Sequence, residues 1–341
     1  MSKPTVHDIA KAAGVSLATV DRVLNARPGV RDKTIAKVQD AVDRLGYVRD
    51  TSAANLARQR QYRFVFVLPT GPSQFIAGLT GALLEAYAAQ IAERVVLNVV
   101  TAPTNDPHAL VGCLRALKTD RLDGVAIMAP ETPQVRDAIA HLKEKGLAVV
   151  ALVSDLPNSQ RDYFIGINNI AAGRTAALLM GRFAKTPGDI LVVSHSLGSR
   201  DSLERRLGFD QVMASDFPAL SVLPSVESYG DPERMEKAVA TVARERPGLI
   251  GLYSMGAGNT PLLNGLRKSG RLKEVVVIAH EVTPTTRQAL LGNEIAAVIT
   301  QNVGHLVRSA LRVLRALCDE SAIYEAQERI RIEVVLRENL T

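Results

Sequence analysis

Nine short apolar runs at regular intervals constrain the fold of this chain most strongly. They cover Phe64–Leu68, Val95–Val100, Gly124–Ala129, Ala148–Val153, Tyr163–Ile167, Ile190–Ser194, Leu249–Tyr253, Val275–Ala279 and Ala297–Thr300. Amphipathic helical patterns lie between them, for example over Gly78–Ile91 and Ala171–Phe183. This alternation is typical of parallel sheets that helices cover on both faces. Because residues 62–341 are too many for one sheet, we predict an α/β body of two doubly wound parallel-sheet subdomains, with a last strand over Ile330–Leu336.

The first 49 residues predict three short helices instead. Thr5 and Ser16 suit the caps of the first two helices, and Gly14 suits the turn between them, since glycine readily adopts positive φ. A third helix is expected from near Asp32. Apolar residues recur at helical spacing in all three: Val6, Ile9, Ala10, Ala13, Val20, Val23, Leu24, Ile35, Val38, Val42 and Leu45. Two helices joined by a tight glycine turn form the helix-turn-helix pattern, whose second helix enters the DNA major groove.

The net charge is concentrated in this N-terminal segment. Residues 1–60 contain 11 Lys and Arg against 6 Asp, a net charge of +5, whereas the other 281 residues carry 30 basic against 29 acidic side chains. A basic head on a nearly neutral body favours contact with a polyanion. A solvated basic surface without a partner is the alternative that charge alone leaves open.

Three segments of the head together resemble one known family. Thr5–Ser16, Thr19–Asn25 and Leu45–Val48 agree in residue type, spacing and position with the LacI/GalR (lactose-repressor) family of bacterial transcription regulators. The resemblance implies that the second helix reads bases through Leu17, Ala18 and Arg22. Arg22 would donate two hydrogen bonds to a guanine, while Leu17 and Ala18 would touch a thymine methyl group or leave space. Leu17 belonging in part to the core is the alternative.

Other residues of the head match family positions that contact the DNA backbone. The candidate DNA-binding residues of this kind are Thr5, Ser16, Thr19, Asn25 and Tyr47. Phosphate contacts of this sort fix the register of the protein without reading sequence. Asp21 stands where the family usually has a small hydroxyl residue, and a carboxylate near phosphate is repulsive. We expect it to orient Arg22 or a neighbouring lysine.

Residues 50–61 form a polar linker with one large apolar side chain, Leu56. The segment is too short to be a stable helix by itself. The resemblance implies a hinge helix that orders on DNA, with Asn55 and Leu56 among the DNA-binding residues and Leu56 wedged into the minor groove. Docking of Leu56 on the body of the protein is the alternative.

The resemblance extends over the body, which looks like a type-1 periplasmic sugar-binding core. It implies a domain division into residues 1–49, 50–61 and 62–341, three chain crossings between the two subdomains of the body, and a homodimer. In such sheets ligands bind at the carboxyl ends of the strands. The loops after the predicted strands therefore provide the candidate effector-binding residues: Ser73, Phe75, Ser154, Asp155, Arg205, Ser254, Asn259, Glu281 and Gln301. Glu281 stands where the family usually has an aspartate.

Each of these residues also has a purely structural interpretation. Phe75 could belong to the core, Asp155 could be a turn residue, and Arg205 could pair with Glu204 or Asp201 on the surface. Glu281 could be a loop charge. Aromatic residues are only 4% of the chain and tryptophan is absent, so the sequence does not predict a sugar site rich in ring stacking.

An enzyme is the third class of function considered. Gly256, Gly258 and the later Glu281 imitate a dinucleotide-binding fingerprint, but Pro261 occupies the place of its third glycine. Ser194-His195-Ser196 lacks the nucleophile elbow of hydrolases, and the six histidines show no metal-ligand spacing. We therefore expect no catalytic site, no metal and no cofactor.

The sequence thus predicts a DNA-binding transcription regulator, a repressor, that binds a pseudo-palindromic duplex under the control of a sugar-like effector. A sugar-uptake receptor is the alternative, and it would have an export signal in place of the basic head. The first eight residues contain no apolar stretch of the kind found in signal peptides, and no apolar run is long enough for a membrane span. Two cysteines, Cys113 and Cys318, are too few for a disulfide scaffold, so we expect reduced thiols and a cytoplasmic location.

Overall fold

The computed structural model describes residues 4–24, 27–47, 60–90, 94–103, 106–256 and 258–340. It divides into two compact units, Met1–Arg60 and Gln61–Thr341. In the described part of the chain, no helix is long and apolar enough to cross a membrane.

The N-terminal unit is a small bundle of the helices α1 (Val6–Ala13), α2 (Leu17–Leu24) and α3 (Asp32–Leu45). Thr5 and Asp8 form a capping box at the start of α1, and Gly14 ends this helix with φ 64°. The buried core consists of Ile9, Ala10, Val20, Val38 and Ala41. Two side chains predicted to face inward, Val6 and Ile35, are 38% and 40% exposed. Three helices of this length enclose a core too small for every apolar residue of the pattern.

The C-terminal unit contains two sheets. Sheet 1 has the order β2-β1-β3-β4-β5 and is entirely parallel. Its strands are β1 (Tyr62–Pro69), β2 (Val95–Ala102), β3 (Gly124–Ile127), β4 (Ala148–Leu152) and β5 (Tyr163–Ile165). Sheet 2 has the order β12-β11-β10-β9-β6-β7, and β8 pairs with β6. Its strands are β6 (Gly188–Ser194), β7 (Leu220–Val222), β8 (Val226–Glu227), β9 (Leu249–Ser254), β10 (Val276–His280), β11 (Ala297–Gln301) and β12 (Ile332–Val335).

Helices cover both faces of each sheet. They are α4 (Gln74–Gln90), α5 (Pro107–Arg115), α6 (Pro133–Glu144), α7 (Asn169–Phe183), α8 (Arg200–Asp216), α9 (Pro232–Glu245), α10 (Asn259–Lys268), α11 (Pro284–Leu291), α12 (Val303–Cys318) and the short α13 (Glu325–Glu328). Successive side chains of β1 show why its apolar run is continuous. Phe64 and Phe66 face one buried cluster, and Val65 and Val67 face another.

Two lobes follow from these contacts. The first lobe is sheet 1 with α4, α5, α6 and α12, and the second is sheet 2 with α7 to α11. The chain passes between the lobes after β5, after β11 and again after α12, since α12 packs on β3 and β4 whereas β12 pairs with β11. The predicted fold class, a helical head on two doubly wound sheets, is confirmed.

Three details differ from the sequence-based prediction. β7 and β8, with three and two residues, are too short to give a periodic signal. β12 runs antiparallel to β11, so sheet 2 is mixed, as is common for an edge strand that a chain crossing brings back. β3 and β5 end two residues before the predicted runs do, at Ile127 and Ile165, because the chain turns there into the loops described below.

Candidate functional site

The loops after the strands of the two lobes meet across a cleft. Four contacts join them: Arg200 Nη1 to Glu131 Oε2 at 3.3 Å, Asp201 N to Ser154 Oγ at 3.4 Å, Asn169 Nδ2 to Val153 O at 3.4 Å, and Thr285 N to Gln74 Oε1 at 3.4 Å. All of these residues follow strand ends or begin the helices after them. The carboxyl edges of both sheets therefore face each other, as expected for a ligand site in this kind of fold.

Three residues at the same edges have strained backbone conformations. Val153, Tyr229 and Glu281, which lie just after β4, β8 and β10, have φ values of 63°, 51° and 66°. Val153 is the most unusual of the three, because β-branched residues rarely adopt positive φ. There Ser154 N donates to Leu152 O at 2.6 Å and closes a tight turn. Strained conformations of this type tend to occur at functional sites, where the surrounding structure maintains them.

Arg205 lies at the floor of the cleft and is only 3% exposed. Its Nε donates to Asn169 Oδ1 at 2.9 Å, and its Nη1 donates to Met255 O at 2.9 Å. Nη1 also lies 3.8 Å from Asp201 Oδ2. Within the described residues, Nη2 has no hydrogen-bond partner. One donor of this buried guanidinium is therefore available to a ligand.

Two glycines hold Arg205 in place. A Cβ at Gly173 of α7 would lie 2.0 Å from the carbonyl oxygen of Arg205, and a Cβ at Gly208 of α8 would lie 2.1 Å from that of Ile170. Such distances mean that the backbones of α7 and α8 touch where they cross. Asn169 and Arg205 are thereby fixed on facing helices at hydrogen-bond distance.

Glu281 is a buried carboxyl group whose oxygens both accept hydrogen bonds. Thr300 Oγ1 donates to Oε2 at 3.1 Å, and Gln301 Nε2 donates to Oε1 at 2.9 Å. Burial, which disfavours the charged form, raises the pKa of Glu281 above its ordinary value despite these bonds and the nearby charge of Arg205. Gln301 is 3% exposed, and its Oε1 has no partner among the described residues. The structure thus joins two predicted site residues through one hydrogen bond.

Ser254 and Asn259 are buried and bonded to each other. Ser254 Oγ donates to Asn259 Oδ1 at 2.8 Å, and Asn259 Nδ2 donates to His280 O at 3.2 Å. Beside them Tyr253 Oη and His280 Nε2 are 2.8 Å apart, and burial lowers the pKa of His280 well below its ordinary value. These contacts brace the loop after β9 and show a supporting role for Ser254 and Asn259.

The four residues predicted in the first lobe have structural partners as well. Phe75 is half-buried against the core, and the exposed Ser73 accepts a hydrogen bond from Ile76 N at 3.3 Å, which caps α4. Asp155 forms a two-point ion pair with Arg161, with distances of 2.5 and 2.8 Å. Its carboxylate is therefore already paired. Ser154 is 2% exposed and contributes to the contact between the lobes.

Sequence reasoning did not select four residues that the structure brings to the cleft: Glu131, Asn169, Asp201 and Tyr229. Glu131 and Asn169 follow the predicted third and fifth strands, so the rule that nominated the other loops could have found them. Tyr229 follows β8, which gave no sequence signal. Its backbone N donates to His195 O at 2.8 Å, which places it beside the end of β6.

On the N-terminal unit, α2 presents a polar and partly apolar outer face. Leu17, Ala18 and Arg22 are exposed, Leu17 by 42%, whereas Val20 on the opposite side is fully buried. Leu17 is therefore more a surface than a core residue. Asp21 Oδ2 forms an ion pair with Arg27 Nη1 at 3.2 Å.

The remaining candidate DNA-binding residues fall into two groups. Ser16 Oγ accepts from Thr19 N at 3.2 Å, Thr5 caps α1, and Tyr47 is half-buried against the head core. Asn25, Asn55 and Leu56 lie outside the described residues. In the described part of the chain, no group of three His, Cys, Asp or Glu side chains could hold a metal ion.

Comparisons with known proteins agree with both units. Residues 5–50 match the bacterial regulatory proteins of the lacI family, and residues 64–322 match the periplasmic binding protein domain. Over most of its length the chain belongs to the periplasmic binding protein domain family, and its head is a regulatory domain of the lacI family.

Curated relatives carry the names of transcriptional regulators. The chain is 27% identical over 177 residues to the HTH-type transcriptional regulator DegA of Bacillus subtilis (strain 168), a match that spans 51% of each chain. It is 21% identical over 346 residues to the HTH-type transcriptional regulator pepR1 of Lactobacillus delbrueckii subsp. lactis, across 98% of this chain and 97% of the relative. The alignment with DegA thus covers about half of that protein, whereas the alignment with pepR1 is nearly complete.

Solved structures share the fold of the core. GanP, a glucose-galactose binding protein from Geobacillus stearothermophilus, superposes with a TM-score of 0.73 at 17% identity, covering 82% of this chain and 99% of that one. At this identity the likeness concerns the fold of the two lobes only.

Proposed function

We propose that this LacI-family protein is a sequence-specific transcriptional repressor whose affinity for its operator is set by a small polar effector in the cleft. One observation carries the proposal. A head of the LacI type, with Leu17, Ala18 and Arg22 exposed on its second helix, is joined to a core whose cleft holds the buried donor Arg205 and the buried acid Glu281. The head would bind DNA, and the cleft would sense the ligand.

Arg22 is the residue best suited to direct base readout. Its side chain is exposed on α2, and an arginine in the major groove donates two hydrogen bonds to guanine O6 and N7. Asp21, the neighbour of Arg22 along α2, forms an ion pair with Arg27. Thr5, Ser16, Thr19, Asn25 and Tyr47 would contact the backbone, while Asn55 and Leu56 of the linker would bind in the minor groove.

We further propose a homodimer that binds a pseudo-palindromic operator, with one α2 in each half-site. Exposed apolar side chains on α4 support an association surface there: Leu84 and Tyr87, three positions apart on this helix, are 62% and 37% exposed. The effector would be a sugar or sugar derivative, in keeping with the glucose-galactose binding protein that shares this fold. Its binding would alter the relative position of the lobes and so the order of residues 50–61. We place the protein in the cytoplasm, without a catalytic or membrane role.

Selection from a random duplex library with the full-length protein tests this proposal. The expected result is enrichment of one twofold-symmetric sequence over scrambled competitor at physiological salt. A thermal-shift screen of sugars, polyols and sugar acids should then identify compounds that raise Tm by mass action and alter operator affinity. Recovery of no symmetric sequence with or without these compounds, together with a sugar-induced shift, would instead identify a solute receptor.

A further inference from the structure

Acidic side chains lie beside three arginines of the cleft and offset their positive charges. One described arginine near the strand ends, Arg234, is exposed and lies 5.1 Å from the centroid of the Tyr229 ring. Three others lie closer to the contacts between the lobes. Arg161 pairs with Asp155, Arg200 with Glu131, and Arg205 lies beside Asp201. Each of these three has an acid within 4 Å, so none of them presents a free positive charge to a ligand.

The acidic side chains of the cleft outnumber these three arginines. Glu227 Oε2 accepts from Leu197 N at 2.7 Å, and Glu281 accepts from Thr300 and Gln301. Neither acid forms an ion pair with a described residue. Burial raises the pKa of Glu281 and so disfavours its charged form, but Arg161, Arg200 and Arg205 have other acids beside them. Burial lowers the pKa of the two histidines near the cleft, His195 and His280, and likewise disfavours their charged forms.

Arg205 and Asp201 nevertheless offer a hydrogen-bond donor and an acceptor to a ligand. Arg205 Nη2 is a donor without a described partner, and Asp201 is an acceptor at the same place. A hydroxyl group both donates and accepts, so a diol satisfies this donor and acceptor together. A carboxylate or phosphate group only accepts hydrogen bonds. It would accept one from Arg205 and would lie next to the carboxylate of Asp201, which has the same sign of charge.

We infer that the cleft takes an uncharged, hydroxyl-bearing effector and discriminates against the same compound carrying a carboxylate or phosphate group. The inference rests on the proposed function and narrows it. An anion that leaves water is stabilised by an uncompensated cation or by several converging donors, whereas Arg205 offers one donor and lies beside Asp201. With an acid beside the single available donor, we expect the anionic form to bind roughly tenfold or more weakly than the neutral one.

The first experiment uses the full-length protein and matched sets of ligands. Thermal shift followed by calorimetry would compare glucose, galactose and mannose with the uronate and the 6-phosphate of each. The expected result is binding of at least one hexose and at least tenfold weaker binding of its two anionic counterparts. Equal or tighter binding of a uronate or phosphate would overturn the inference while leaving the proposed regulator intact. No shift with any of these compounds would count against both.

A pair of variants tests the role of Asp201. Asp201→Asn removes the acid beside Arg205, whereas Asp210→Asn makes the same chemical change farther along α8, where Asp210 pairs with Arg206. The ratio of the uronate to the hexose dissociation constant should fall severalfold in Asp201→Asn and stay unchanged in Asp210→Asn. An unchanged ratio in Asp201→Asn, with the hexose still bound, would show that this acid does not exclude anions.

Discussion

Asn169 Oδ1 accepts a 2.9 Å hydrogen bond from Arg205 Nε, while Asn169 Nδ2 donates to Val153 O of the other lobe at 3.4 Å. One amide therefore connects the buried arginine of the second lobe to the strained turn after β4 in the first. A ligand that bonds to Arg205 acts on a group already linked to both lobes. This geometry gives a direct route from ligand contact to lobe position.

Substitution of Gly173 tests the close crossing that holds Arg205. In Gly173→Ala the new Cβ would meet the carbonyl oxygen of Arg205, so α7 and α8 must separate. We expect a loss of about 1–3 kcal/mol in the free energy of unfolding, measured with urea. Gly112→Ala is the matched control, because Gly112 is an exposed residue of α5 with no atom near its Cβ position. A loss no larger than that of the control would contradict the close packing.

The ion pair between Glu131 and Arg200 tests the closure of the cleft. Because the Arg200 side chain is 37% exposed, we expect a coupling energy of only about 0.2–1 kcal/mol in a double-mutant cycle of Glu131→Gln and Arg200→Gln. Urea unfolding at low salt and in 1 M NaCl measures it, and salt should reduce it. The Arg206–Asp210 pair, which lies within α8, serves as a control that does not join the lobes. Zero coupling at low salt would show that the lobes are not held by this contact.

The burial of Glu281 predicts that the stability of the protein depends on pH. Burial raises its pKa, so the folded protein holds this proton more tightly than the unfolded chain does. Its contribution to stability is therefore complete below the ordinary pKa and is lost as the pH rises through the raised pKa. Glu281→Gln should remove this part of the decline in urea unfolding free energy as the pH rises above the ordinary pKa of a glutamate. The exposed Glu325→Gln is the control, and equal slopes in both variants would exclude this account.

Substitution of Arg22 tests whether this side chain recognises a base of the operator. Arg22→Ala should cost about 1–3 kcal/mol in operator affinity and relax base preference at one position of each half-site. Selection from a random duplex library compares the variant with Lys37→Ala, which removes an exposed charge of α3 instead. An unchanged consensus sequence in Arg22→Ala would assign base recognition to other residues.

Substitution of Leu56 tests whether the linker contributes to DNA binding independently of effector binding. Leu56→Ala should weaken operator binding, because a minor-groove wedge and the bend that it supports are lost. Binding of a hexose to the core should be unaffected. Fluorescence anisotropy with the selected operator and calorimetry with the sugar measure the two properties. Equal loss of both would indicate a folding defect and not a role in DNA binding.

Several predicted site residues have partners that the sequence pattern did not reveal. The loop rule selected Arg205, Glu281 and Gln301, and the structure places Arg205 in the helix after β6, Glu281 directly after β10 and Gln301 at the end of β11. It gave no information about Asp155, whose carboxylate is bonded to Arg161, or about Ser254, whose hydroxyl is bonded to Asn259. Position at a strand end is a local property, whereas the free or paired state of a side chain depends on its neighbours in space.

The sequence by itself determined the alternation of strands and helices, the three-helix head and the edge of each sheet at which polar residues gather, because hydrophobic periodicity and capping act within a few residues. Only the tertiary structure decided that Asn169 and Glu131 belong to the cleft, that Asp21 pairs with Arg27 and that Arg161, Arg200 and Arg205 each lie beside an acid. Two of these contacts join residues far apart along the chain, Asn169 with Arg205 and Glu131 with Arg200, the second pair being 69 residues apart. Hydrogen bonds and ion pairs form at distances of about 3–4 Å, which only the folded chain sets.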